Sequence, residues 1–137
     1  MIRFIVDSTA YAPKEYLEAH RISVVPLSVF VRDREYVEGA PGTFAPVYED
    51  CARSKVIPTT SLPSTQAFLD AFNAVTKDGD EAVCLTISST LSGTYNNARL
   101  AAGLSEHADR ISVLDSGSAA QEIFLLLQDL VEMAEQG

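Results

Sequence analysis

The sequence predicts an α/β fold in which a mostly parallel sheet carries helices on both faces. Short apolar runs typical of buried strands alternate with longer segments whose apolar residues recur at helical spacing. The chain has 137 residues and 47% hydrophobic content, which is enough for one domain with a substantial core.

The first half of the chain is predicted to contain two helices, a strand, an extended segment and a hairpin. Proline suits the first turn of a helix, so Pro13 begins one, whereas Pro26 marks an edge or a bulge in the extended segment. A turn at Asp33-Arg34 makes the hairpin, and Thr43 is the expected N-cap of the second helix. The predicted boundaries are a strand at 2–6, a helix at 13–19, extended structure at 22–31 and 35–37, a loop at 39–42, and a helix to about Arg53.

The second half is predicted to repeat helix and strand. Ser64 caps a helix that ends at Asp78-Gly79, and its apolar residues recur at helical spacing. The last helix has a core stripe that includes Leu126 and Leu127, with Phe124 and Leu125 outside it. The other predicted segments are a loop at 56–63, strands at 82–87 and 111–114, and helices at 92–104 and 119–136.

The charge of the chain restricts its partners. A net charge of −9 argues against binding to nucleic acid or to an anionic membrane surface, because both would repel the protein. No apolar run has the length needed to span a bilayer, and no signal peptide is recognisable. Cys51 and Cys84 form no C-x-x-C motif, which indicates two structural thiols in a reducing, cytoplasmic setting.

Hydroxyl side chains follow three of the predicted strands. The carboxyl ends of parallel strands meet at one edge of a sheet, where ligands bind in this class of fold. We therefore expect the three loops to converge, with the Thr59-Thr60-Ser61 segment as a fourth wall. The loops are Asp7-Ser8-Thr9, Ser88-Ser89-Thr90 and Asp115-Ser116-Gly117-Ser118.

The segment Ser92-Gly93-Thr94 is predicted to form the first turn of a helix that starts just after a strand. The free N–H groups of such a turn and the positive end of the helix dipole attract an anion. Gly93 allows close approach to the backbone, and Ser92 and Thr94 add hydroxyl donors, so the turn makes an anion site without a cation. The alternative is ordinary helix capping by serine and threonine.

Asp7 and Asp115 have three possible roles. Each aspartate can cap a turn, or it can accept hydrogen bonds from neighbouring hydroxyls and fix their direction. Together they can also hold magnesium or accept a phosphoryl group, which would make the protein an enzyme. His20 and His107 lie away from the predicted strand ends, so a catalytic role is not expected for either.

At these residues the chain resembles the DegV family. The matching segments span most of the chain in the expected order, and the run from Ser89 to Tyr95 is the most specific of them. They are Ile5-Val-Asp-Ser-Thr9, Val24-Val-Pro-Leu27, Pro58-Thr-Thr-Ser-Leu-Pro-Ser64, Ile87-Ser-Ser-Thr-Leu-Ser-Gly-Thr-Tyr95 and Val113-Leu-Asp-Ser116.

The resemblance implies a non-enzymatic protein that holds a long-chain fatty acid and presents it to a fatty acid kinase for acyl phosphate formation. The implied carboxylate contacts are the hydroxyls of Thr60, Ser61 and Ser92, with backbone contact from Gly93 and Thr94. No cofactor or metal is implied. Asp7, Ser8, Ser88, Asp115 and Ser116 would support the site.

The family also has a second domain, which closes the ligand tunnel. The resemblance therefore implies that residues 1–137 correspond to the N-terminal domain, with the second domain absent because the sequence is either a fragment or a natural short form. Two alternatives to a lipid carrier stay open: a phosphoryl-transfer or phosphatase domain using Asp7 or Asp115 with a metal, and an interaction domain whose hydroxyls are only caps.

Overall fold

The computed structural model describes residues 1–39 and 44–137, so the predicted loop at 39–42 and the predicted cap Thr43 lie largely outside the described residues. Described residues include seven strands, five α-helices and two short 3-10 turns, at Ser8–Ala10 and Ala108–Arg110. The strands are β1 (Ile2–Asp7), β2 (Ser23–Val25), β3 (Ser28–Val31), β4 (Arg34–Val37), β5 (Thr59–Ser61), β6 (Glu81–Thr86) and β7 (Ile111–Asp115). The helices are α1 (Lys14–Ala19), α2 (Phe44–Ser54), α3 (Thr65–Thr76), α4 (Thr94–Leu104) and α5 (Gln121–Gln136).

The main sheet confirms the predicted fold class. It has four strands in the order β2-β1-β6-β7, and each neighbouring pair is parallel. Because β1, β6 and β7 are adjacent, their carboxyl ends share one edge of the sheet.

Each face of the main sheet is covered by helices, because successive strand residues point to opposite sides. Helices α3 and α4 pack on one face, with Phe68 and Phe72 fully buried against Ile5. Helices α1 and α5 cover the other face, where Ile123 and Leu127 pack with Val6. The two layers of apolar contacts hold the carboxyl edge in a fixed geometry.

The extended segment predicted at 22–31 is two strands in two different sheets. Pro26 lies between β2, which pairs with β1, and β3, which belongs to a second, antiparallel sheet of order β4-β3-β5. Proline lacks the N–H that a continuous ladder needs, so the chain changes sheets at this position. The predicted hairpin is confirmed as β3 and β4. The predicted loop at 56–63 is wrong in part, because Thr59–Ser61 pairs with β3 as β5.

Two helix starts and one core residue differ from the prediction. Ser64 caps α3 as predicted, accepting a hydrogen bond from the backbone N–H of Ala67 at 3.1 Å. Helix α4, however, begins at Thr94 and not at Ser92, and α5 begins at Gln121. Leu126 was predicted in the core stripe of α5 but is exposed.

Phe124, which lies outside that stripe, packs edge-on against the Tyr16 ring at 5.1 Å between centroids.

Within the described part of the chain, no helix is both long enough and apolar enough to cross a membrane.

Candidate ligand-binding site at the carboxyl edge of the sheet

The three hydroxyl loops meet as expected at the carboxyl edge of the main sheet. The backbone N–H of Ile87, just after β6, donates to Asp7 Oδ2 at 2.7 Å. The backbone N–H of Ser89 donates to Asp115 Oδ1 at 3.1 Å. Each aspartate therefore ties the loop that follows β6 to the end of a neighbouring strand, and together they hold the three loops in one group.

Asp7 is a buried anchor with its side chain only 1% exposed. Its Oδ1 accepts hydrogen bonds from the backbone N–H of Thr9 at 2.9 Å and from the Thr9 hydroxyl. Burial raises the pKa of this carboxyl above its ordinary value, although the hydrogen bonds from Thr9 and Ile87 act in the opposite direction. Both oxygens are engaged by the protein, which favours the supporting role over the metal-binding one.

Ser8 connects the main sheet to the second sheet. Its hydroxyl donates to Glu38 Oε2 at 2.7 Å and accepts from the backbone N–H of Leu27 at 2.9 Å. The Tyr11 hydroxyl donates to the other oxygen of Glu38 at 2.8 Å. Burial, reinforced by the bond to Glu38, raises the pKa of Tyr11 to about 12. Sequence reasoning missed both Tyr11 and Glu38, because no local pattern links them to the loops.

Asp115 and Ser116 stabilise the loop that follows β7. Hydrogen bonds from Ser89 and then from the backbone of Gly117 hold the pKa of Asp115 below its ordinary value. Ser116 Oγ donates to the Ser118 carbonyl and accepts from the Ser118 backbone N–H, both at 3.1 Å. Asp115 thus joins this loop to the loop that follows β6, while the bonds of Ser116 order it locally.

The start of α4 differs in detail from the prediction. Gly93 is the N-cap residue, and no side chain caps the helix. Ser92 precedes it, partly exposed, while Thr94 is fully buried. The Ser92 hydroxyl accepts from the Thr94 backbone N–H at 3.2 Å and lies 2.8 Å from the Thr94 hydroxyl. Of the two predicted hydroxyl donors, only Ser92 is therefore accessible to a ligand.

Thr60 and Ser61 lie in β5, at the edge of the second sheet. Thr60 shares a row across the sheet with Val29 and Tyr36, and it lines a cavity of ≈ 210 Å³ with them. Ser61 is the next residue along the strand, so its side chain points to the opposite face. The two hydroxyls therefore face different surroundings, which the sequence reasoning did not foresee.

The segment after β5 contacts the start of α4. Asn97 Nδ2 donates to the Pro63 carbonyl at 3.0 Å, and a Cβ added to Gly93 would lie 3.4 Å from Leu62 Cδ2. The β5 segment thus borders the corner, in keeping with the expected fourth wall. Leu62 therefore packs against the helix start, at a distance where an added Cβ on Gly93 would make ordinary van der Waals contact.

The ionisable groups placed around the corner are mainly acidic. Asp7, Glu38 and Asp115 lie on its loops, and Lys14 lines a neighbouring cavity of ≈ 420 Å³ with Asp7. Within residues 1–39 and 44–137 no group of three or more His, Cys, Asp or Glu is placed to hold a metal ion. His20 lies at the other end of the sheet, with Nδ1 3.2 Å from Glu135.

The family model described as "Uncharacterised protein, DegV family" matches residues 1–137. The chain belongs to the DegV family. A DegV domain-containing protein of Staphylococcus aureus is 34% identical over 133 residues, a match that covers 97% of this chain and 47% of that protein. The chain thus spans about half the length of the relatives it matches.

Solved structures of DegV-type proteins share this fold. A stearic acid-binding protein from Eubacterium ventriosum superposes with a TM-score of 0.91 at 35% identity, covering 100% of this chain and 48% of that one. The Streptococcus pneumoniae Fatty Acid Kinase (Fak) B3 protein, loaded with linoleic acid, gives a TM-score of 0.83 at 28% identity, covering 100% and 49%. These DegV neighbours bind fatty acids.

Proposed function

We propose that this DegV chain binds a long-chain fatty acid and contacts its carboxylate at the start of α4. The observation that carries the proposal is the accessible Ser92 hydroxyl, which lies at the amino end of α4, where Leu62 packs against Gly93. A helix start with free N–H groups suits one negative charge, and the adjacent leucine suits an acyl chain.

Within this proposal Ser92 and Thr60 are the hydroxyl donors, and Gly93 provides backbone contact. Ser61 belongs to the candidate set from sequence, but its position on the opposite face of β5 makes it the weaker candidate. The cavity beside Thr60 is lined largely by apolar and aromatic side chains, including Val29, Phe44 and Val47, and so offers one wall for an acyl chain.

We further propose that the protein is a carrier in the cytoplasm that presents the fatty acid to a fatty acid kinase, and that it is not itself an enzyme. The name of the Streptococcus pneumoniae relative supports the kinase partner. The free thiols of Cys51 and Cys84 suit a reducing compartment. The engaged carboxylates of Asp7 and Asp115 give the phosphoryl-transfer alternative little support.

Two measurements on the purified chain test fatty acid binding. Native mass spectrometry is expected to detect a bound long-chain fatty acid, and the delipidated chain is expected to bind palmitate in a titration. A chain that carries no lipid, binds no palmitate and hydrolyses a phosphate ester with magnesium would contradict the proposal and favour the phosphatase alternative.

Ser92→Ala separates a binding site from a helix cap. A hydrogen bond to a charged group contributes roughly 1.5–3 kcal/mol, so palmitate affinity should fall about ten- to a hundredfold. Ser92 also accepts from the Thr94 N–H, so the variant should lose about 1 kcal/mol of stability in either case. Affinity is therefore the deciding quantity, and unchanged affinity would remove Ser92 from the site.

Thr60→Val and Ser61→Ala form a matched pair on adjacent residues of β5. The valine keeps the shape of threonine and removes its hydroxyl, so it should weaken palmitate binding, whereas Ser61→Ala should leave binding close to that of the unaltered chain. Equal losses in both variants would contradict the assignment of Thr60 as the donor.

A further inference from the structure

The loops at the carboxyl edge repeat one hydrogen-bonded unit. In Asp7-x-Thr9, Ser88-x-Thr90 and Ser92-x-Thr94, the side-chain oxygen of the first residue accepts from the backbone N–H of the third. In each unit the hydroxyl of the threonine also lies within hydrogen-bonding distance of that oxygen. The units have the same geometry but differ in burial, and burial determines where each hydroxyl proton can point.

Burial fixes the direction of the hydrogen bond between Thr94 and Ser92. Thr94 is 0% exposed, and among described residues the only partner of its hydroxyl is Ser92 Oγ, at 2.8 Å. A buried hydroxyl proton without an acceptor is costly, so Thr94 must be the donor. Ser92 Oγ then accepts two hydrogen bonds, one from the Thr94 hydroxyl and one from its N–H.

Two accepted hydrogen bonds occupy both lone pairs of a serine hydroxyl. The proton of Ser92 remains available, and Ser92 is the partly exposed member of the pair. We propose that Thr94 is a positioning residue that makes Ser92 a hydrogen-bond donor towards the ligand, so that the site selects a group that only accepts, such as a carboxylate. This inference rests on the proposed function of Ser92 and deepens it.

The Ser88-x-Thr90 unit provides an internal control. Thr90 is exposed, so its hydroxyl can donate to water and its direction relative to Ser88 is not fixed. Ser88 is only 3% exposed, so its hydroxyl is not accessible to a ligand in the way that the Ser92 hydroxyl is. The same sequence pattern therefore leaves an accessible hydroxyl proton at Ser92 but not at Ser88.

The test compares two probes of equal length, palmitate and hexadecanol, by titration of the delipidated chain. Hexadecanol can accept or donate, so it depends less on the direction of the Ser92 proton. In Thr94→Val the preference for palmitate over hexadecanol should fall by about two- to tenfold, the range expected for one neutral hydrogen bond. Thr94→Ser should restore the preference, and Thr90→Val should leave it unchanged. If Thr94 had only a structural role, Thr94→Val would weaken the binding of palmitate and hexadecanol equally.

Other outcomes distinguish this inference from the proposed function. If the unaltered chain binds no palmitate, or if Ser92→Ala leaves the preference unchanged, the proposed function of Ser92 fails and this inference fails with it. If Ser92→Ala reduces the preference but Thr94→Val does not, this inference alone is overturned.

A second measurement avoids the variants. In the NMR spectrum of the unaltered chain, the buried hydroxyl proton of Thr94 should exchange with water more slowly than that of Thr90. Equally fast exchange of the two protons would overturn the proposed donor direction, even if Thr94→Val does not fold.

Discussion

Replacing Asp7 by asparagine tests whether burial or hydrogen bonding dominates at the anchor of the three loops. The carboxylate accepts from the N–H of Ile87 at one oxygen and from the N–H and hydroxyl of Thr9 at the other. An amide has a single acceptor oxygen, so its NH₂ group must face a donor. The less costly orientation keeps both bonds to Thr9 and leaves the partly buried N–H of Ile87 without an acceptor. One unsatisfied buried donor costs about 1–3 kcal/mol, which is the expected loss at neutral pH.

The pH dependence of this loss has a definite sign. Burial, the largest influence, raises the pKa of Asp7 in the folded protein above that of the unfolded chain. A group with a raised folded pKa contributes stability that is fully present below its unfolded pKa of about 3.9 and is lost as the pH rises through the folded pKa. The difference in unfolding free energy between the unaltered chain and Asp7→Asn should therefore be largest near pH 4 and shrink towards neutral pH.

Asp115→Asn is the matched control, because the pKa of Asp115 is lowered by hydrogen bonds from Ser89 and Gly117. The stability that the Asp115 carboxylate contributes is present above about pH 3.9 and is lost as the pH falls through the lower folded pKa. The difference between the unaltered chain and Asp115→Asn should therefore shrink at low pH, which is opposite to the trend expected for Asp7. Urea unfolding followed by circular dichroism at pH 2.5, 4, 5.5 and 7 measures both differences, with the Asp115 effect confined to the most acidic points. If the Asp7→Asn difference grows towards neutral pH, the hydrogen bonds outweigh burial and the reasoning is refuted.

Three further outcomes are expected. Ala120 has φ 55° and ψ −132°, a conformation that costs a non-glycine residue about 1–3 kcal/mol, whereas glycine loses about 0.4–1 kcal/mol more entropy on folding. A net gain of about 1 kcal/mol in Ala120→Gly should raise the melting temperature by about 3–5 °C in calorimetry. Leu125 and Leu126 are exposed, and replacing both by serine should reduce self-association in light scattering at high concentration, with stability changed by less than about 0.5 kcal/mol. Because the net charge is −9, added salt should strengthen palmitate binding relative to hexadecanol, and weakening would indicate a cation at the site.

The main sheet and the meeting of its loops could be predicted because their signals are local. β1, β6 and β7 are short apolar runs, and the apolar residues of α3 recur at helical spacing. Once three strands are parallel and adjacent, the position of their carboxyl ends follows from geometry. The prediction needed no knowledge of long-range contacts beyond this rule.

The second sheet could not be predicted in the same way. β5 consists of Thr59–Ser61, three exposed polar residues with no alternation of apolar and polar side chains. It is a strand only because β3 supplies backbone partners from a distant part of the sequence. The side chains of Thr60 and Ser61 point to opposite faces of the sheet because of that pairing. The sequence alone could not show that only one of them faces the cavity. The contacts of Glu38 with Ser8 and Tyr11 depend on the same arrangement of sheets.

The hydroxyl groups at this corner can serve in two ways, by bonding to the backbone of the loops or by donating a hydrogen bond to a ligand. Loops at the end of a buried sheet have backbone groups that need partners, and the hydroxyls of Ser8 and Ser88 accept from such N–H groups where water has little access. A hydroxyl accepts and donates, so it can hold a loop with its lone pairs while its proton stays available. Ser92 is the partly exposed residue of this kind at the start of α4. If Ser92 binds the ligand as we propose, its neutral hydroxyl recognises a carboxylate by the direction of its proton, and the nearby acidic residues do not neutralise it as they would a lysine.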